Sequence, residues 1–123
     1  MVVLLIKILT TALLFNLLYE LCHSFLYKTC LEAKLEKYVY LILKAAVFDG
    51  LIIVAGHVIT GGNRAIFIAL CLLFAYVWEV YSLKKKKWEC SKNMPLVLGV
   101  GVTPLIQLAV TGLASLYFVS YLW

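Results

Sequence analysis

Glu20 and His23 stand three residues apart inside an apolar run, in the stretch NLLYELCHSFLY. At that spacing on a helix, both side chains point to one side and can share a proton or reach one ion. Asn16 and Tyr27 extend the same face, because steps of four, three and four return to one side of a helix. Ionisable groups inside long apolar segments cost on the order of several kcal/mol unless they face protein or water, so they turn inward and mark function. Lys44, Asp49, Glu79 and Gln107 occupy comparable apolar surroundings further along the chain.

Three chemistries use this set. In the first and leading one, Glu20, His23, Asp49 and Glu79 are the catalytic groups of a membrane-embedded acid–base enzyme. One protonated carboxyl gives a proton to a lipid or isoprenoid entering from the bilayer, and a second carboxylate or His23 takes one away. Asn16, Lys44, Gln107, Tyr27 and Tyr76 then bind or orient the substrate, with Tyr81 as a further hydrogen-bonding group. In the second, the acids form a proton or cation relay in a transporter or channel subunit, continued outward by His57 two turns beyond Asp49. Four helices enclose little space, so that reading calls for a homo-oligomer. In the third, Lys44 neutralises Glu20 or Glu79, Gln107 satisfies Asp49, and the network is glue in a structural subunit of a membrane complex. Three acids against one lysine favour a site that retains a proton, which glue alone does not require.

A metal reading uses the same residues. Glu20, His23 and Glu79, with Asp49 near, could ligate a single divalent ion. Dimetal bundles use two E-x-x-H motifs, and this chain has one. No cofactor is assigned on that basis.

The elements that must position these groups follow from composition. Of 123 residues, 65% are hydrophobic and 14% charged, with a mean hydropathy of +1.03, whereas soluble domains carry about 25% charged residues. Four apolar segments run over about 2–27, 38–60, 65–83 and 96–123. Each approaches or exceeds the ~20 residues that cross a hydrocarbon core as a helix. The alternating pattern of a membrane β-barrel is absent. The expected fold is therefore an all-α integral membrane protein: four transmembrane helices, joined by short connections into an up-down-up-down antiparallel bundle, forming one domain over 1–123. The first segment reads as a retained span, since no basic residue precedes Lys7, its apolar run is long and no small-residue cleavage site follows.

At 1.5 Å per residue, Glu20 falls about 9 Å and Glu79 about 7 Å from the midplane on one side, with Lys44 about 7 Å on that side as well. Asp49 sits near the midplane and Gln107 near its level. On the fourth segment Gly99, Thr103, Gln107, Thr111 and Ser115 recur every four residues, a stripe of small and polar groups suited to close helix approach. Pro104 is expected to break that helix locally and free a carbonyl, and Pro95 to stand just inside its start.

Lys28, Lys34 and Lys37 of the first connection and Lys84–Lys87 with Lys92 of the third oppose the lone Arg64 of the second. Counted by the positive-inside rule, connections one and three are cytosolic and both termini lie outside, in a plasma or inner membrane. The net charge of +5 is then a matter of topology and of contact with anionic lipid headgroups, and no nucleic-acid partner is expected. Tyr38, Tyr40, Trp78, Tyr81 and Trp88 fit an inner aromatic belt, and Tyr117, Tyr121 and Trp123 an outer one. Trp88 and Glu89 could also lid a cytosolic cavity. Cys22, Cys30, Cys71 and Cys90 form no C-x-x-C and read as reduced thiols. No nucleophile elbow, zincin, Walker or Rossmann motif is present.

Overall fold

The first three apolar segments are rich in Leu, Ala and Ile and free of proline, so each is built around one long helix. The computed structural model describes all residues, Met1–Trp123. Helix α1 spans Val2–His23 and continues into a single 3-10 turn, Ser24–Leu26. A four-residue α2, Lys28–Leu31, precedes α3, Leu35–Thr60. Helix α3 starts at Leu35, not at Tyr38, because Leu35, Glu36 and Lys37 are good helix formers. It ends at Gly61, whose φ of 61° lies in the left-handed region that glycine adopts without strain. The Asn63 side chain then accepts a 3.1 Å hydrogen bond from the Ile66 amide and caps α4, Arg64–Lys84. Gly61 and Gly62, both with positive φ, form the tight turn between α3 and α4.

The fourth segment departs from expectation. Residues 96–101 form a small antiparallel hairpin, β1 Leu96–Val97 and β2 Val100–Gly101, and the helix α5 covers Val102–Tyr121. Leu98 and Gly99 have φ of 51° and 82°, the positive pair that a two-residue hairpin turn needs. Gly99 is thus a turn residue and does not belong to the helical stripe. Pro95 precedes the hairpin instead of opening a helix, and its carbonyl accepts from the Val102 amide at 2.8 Å. Pro104 is the third residue of α5, where a missing N–H costs nothing, so the expected break does not occur.

Four helices are long and apolar enough to cross a membrane, with mean hydropathies of 2.1, 2.0, 2.0 and 1.6 in chain order. The last is the least apolar and the most enclosed, since it carries the polar stripe inward. Helix α1 packs against α3 and α5, and α4 against α5 and less extensively α3. Their shared core includes Ile8, Ala12, Ile53, Phe67, Leu108 and Leu116. The Phe67 ring lies between two glycines: a Cβ on Gly112 would fall 2.6 Å from it, and one on Gly56 would fall 3.1 Å away. A second, smaller core of Leu26, Tyr27 and Met94 closes the lysine-rich end.

Candidate functional site

The polar face of α1 is where the sequence placed it. Asn16, Glu20, His23 and Tyr27 are all buried, at 0%, 8%, 5% and 8% exposure. Asn16 turns its Nδ2 back on the Ala12 carbonyl at 2.8 Å, so only its Oδ1 looks across the helices. There it accepts from Thr111 Oγ1 at 3.0 Å and from Gln107 Nε2 at 3.1 Å.

Gln107 is the hub. Its single amide nitrogen also stands 2.8 Å from Glu20 Oε1 and 2.9 Å from Asp49 Oδ2. Two carboxyl groups from different helices thus converge on one nitrogen that has two hydrogens. Both carboxyls thus draw on one amide group, with Asn16 Oδ1 as a third acceptor.

His23 adds a proton-bearing contact. Thr103 Oγ1 lies 2.9 Å from His23 Nδ1 and 3.3 Å from Met94 Sδ, and its hydroxyl donates to one or the other according to the imidazole tautomer. The 3.0 Å contact between His23 Nε2 and Glu20 Oε2 carries a proton, on nitrogen or on oxygen. Tyr19 Oη donates to the Thr103 carbonyl and its ring meets the His23 ring edge-on at 4.8 Å, fixing the imidazole.

Glu79 occupies an adjoining pocket at 2% exposure. It accepts from Tyr27 Oη at 3.3 Å and from Trp88 Nε1, which stands 3.2 Å from each carboxylate oxygen. The Tyr27 and His23 rings touch edge-on at 5.6 Å, so the two pockets share a wall. Trp88 is held there by a strap stitched to the end of α1. Lys28 N donates to Glu89 O at 2.8 Å, Ser91 N to Leu26 O at 2.7 Å, and Glu89 N to Thr29 Oγ1 at 2.8 Å. Trp88 therefore turns inward and leaves the expected aromatic belt, while Trp78 remains stacked beside Phe48 with Lys87 4.6 Å over its ring.

Three expected members are elsewhere. Lys44 is exposed, its ammonium 5.8 Å from the Tyr40 ring centroid, and it neutralises neither Glu20 nor Glu79. Position 44 precedes the buried Ala46 by two residues, about 200° around the helix, whereas Asp49 lies only about 60° off that inward direction. Tyr76 reaches the hairpin, donating to Leu98 O at 3.4 Å; Tyr81 is exposed beneath Lys87. The chain's ion pairs are His23–Glu20 and Lys28–Glu89, so no lysine or arginine compensates the buried Glu20 and Glu79 or the partly buried Asp49. No three His, Cys, Asp or Glu side chains converge as a metal-binding group, and the Glu20–His23–Glu79 set does not close around an ion.

Tyr19, Met94 and the pairing of Thr103 with His23 were not anticipated. Tyr19, His23 and Tyr27 recur every four residues, a signal that was available. Outside the four long apolar helices, burial raises the thiol pKa values of Cys30 and Cys90, and the nearby charges of Glu20 and Glu79 respectively raise them further. No protein-family model, curated protein or solved structure matches this chain.

Proposed function

We propose that this chain is an integral membrane protein, its helices in an up-down-up-down antiparallel bundle, whose interior moves protons as a subunit of a proton-coupled system. The observation that carries the reading is the meeting of the Glu20 and Asp49 carboxyls on one Gln107 amide, 2.8 and 2.9 Å away, with no lysine or arginine paired to them. Such a pair holds a proton that either carboxyl can release, and His23 is the exchange partner next in line. Further along α3, His57 Nδ1 is a buried ring nitrogen without a hydrogen-bond partner, on the far side of Asp49. The lysine-rich end faces the cytosol by the positive-inside rule, and Trp88 stands over Glu79 there.

Space favours protons over larger cargo. A lipid substrate needs room beside the acids, yet Glu20 and Glu79 are 8% and 2% exposed and are engaged by Gln107, His23, Tyr27 and Trp88. A proton needs only the hydrogen-bonded chain. A solute pathway would require walls from a second copy.

The test is reconstitution in liposomes with an entrapped pH dye and an imposed potassium diffusion potential. Wild-type chain is expected to carry protons above the empty-vesicle rate, and Asp49→Asn and Glu20→Gln to abolish the excess. In parallel, an infrared band from a protonated carboxyl at neutral pH is expected and should vanish in Asp49→Asn. Flux indifferent to both substitutions sinks the proposal. A lipid that co-purifies with wild type but not with Glu79→Gln would restore the acid–base enzyme in its place.

A further inference from the structure

The end of the molecule remote from the acids carries a feature the proton site does not use. A groove of about 480 Å³ runs along α5, lined by Phe15, Leu113, Ala114, Phe118 and Leu122, with Arg64 at its rim. This volume lies within the usual range of ligand sites, about 300–1,000 Å³. From Leu113 to Leu122 it follows α5 for about 14 Å. That is close to half of a hydrocarbon core of about 30 Å, one leaflet deep.

Its charge is one-sided. Arg64 is exposed and forms no ion pair. The six acids are Glu20, Glu32, Glu36, Asp49, Glu79 and Glu89, and all belong to the middle or to the lysine-rich end. No Asp or Glu side chain therefore neutralises Arg64. It is also the first residue of α4, where unpaired amides add positive potential. A planar guanidinium matches a phosphate with two parallel hydrogen bonds. Tyr117, the remaining lining residue, is exposed beside Tyr121, with rings 4.5 Å apart, and flanks the groove with a hydroxyl at one end of an apolar ring.

We propose that this groove seats one anionic phospholipid of the leaflet opposite the lysine-rich end, its acyl chain along α5 and its phosphate on Arg64. The proposal rests on the membrane-spanning part of the function above and is independent of proton movement. Ala114 is the small residue that leaves room for the chain, and Arg64 is the group that selects its head.

The experiment is native mass spectrometry of the chain in mild detergent, titrated with phosphatidylglycerol or with phosphatidylcholine of the same acyl chains. Wild type is expected to retain one phosphatidylglycerol with about tenfold preference over phosphatidylcholine, as a charge-assisted hydrogen-bond pair implies. Arg64→Gln should erase the preference while acyl binding persists, and Ala114→Trp should remove both. Phosphatidylglycerol should raise the melting temperature of wild type and not of Arg64→Gln, and this second readout guards against a variant that merely folds poorly. Equal retention of the two lipids by wild type overturns the proposal. So does an undiminished preference in Arg64→Gln, which would move the headgroup to the lysines, and so does a dimer that Ala114→Trp dissociates. Alkaline carbonate extraction separates this failure from that of the membrane reading, since release of the chain from membranes would defeat the latter directly.

Discussion

Replacing Gln107 with Leu tests the centre of the site. The side chains are close in size, so the substitution removes chiefly the amide that stands 2.8 Å from Glu20, 2.9 Å from Asp49 and 3.1 Å from Asn16. Two hydrogens serve two of these acceptors at a time. A hydrogen bond to a charged group contributes about 1.5–3 kcal/mol, while neutral interhelical bonds in membranes average about 0.6 kcal/mol. Asn16 keeps Thr111 as a donor, so the loss falls on the carboxyls, for which about 2–3 kcal/mol is expected. The assay is equilibrium unfolding in mixed micelles. The same cause predicts a rescue: adding Asp49→Asn to Gln107→Leu deletes one of the two competing acids and supplies a new amide beside Glu20, recovering at least about half of the loss. The reasoning is refuted if Gln107→Leu stays within about 0.5 kcal/mol of wild type, or if the double variant is no more stable than the single one. Either result would mean that the carboxyls do not depend on this amide.

Gly112→Ala should lower stability by about 1–2 kcal/mol, because the clash with Phe67 outweighs the gain in helix propensity. Gly56→Ala, with its looser 3.1 Å approach to the same ring, should be close to neutral, and equal effects in thermal unfolding would contradict the wedge. Trp88→Phe removes the indole donor from both Glu79 oxygens and should speed hydrogen exchange at the Lys28 and Ser91 amides that fasten the strap; unchanged protection would show that the strap holds without the latch. Cys90 should alkylate slowly at neutral pH and faster as pH rises through its elevated range, since only the thiolate reacts. Glu79→Gln deletes a charge that opposes the thiolate, lowering that pKa and quickening Cys90 labelling at fixed pH. Cys30, whose neighbouring charge is Glu20, should not respond, and quickening of both thiols would point to general loosening.

Much of this architecture was open to reading because membrane-spanning helices must be long and apolar, and because a polar stripe can survive in them only by facing inward. Asn16, Glu20 and His23 obey that rule on α1, and Tyr27 does so just beyond the 3-10 turn that follows it. The hairpin at 96–101 was missed because a short apolar run with β-branched residues serves strand and helix alike, and only the positive φ at Leu98 and Gly99 decides. Trp88 was assigned to the lipid interface on composition, but it faces the acceptor that Glu79 presents once α4 has buried it. Lys44 shows the deeper limitation. Depth along a helix follows from counting residues, but direction around it has to be computed against a known buried position, and Ala46 supplies that position here. The correction changes the chemistry under discussion. With Lys44 inside, three acids and one base make an ion-pair network that glue explains well. With Lys44 outside, two carboxyls lean on one amide and on His23, and their remaining need is for a proton. That is why the site reads as one that handles protons more readily than as one that only holds helices together.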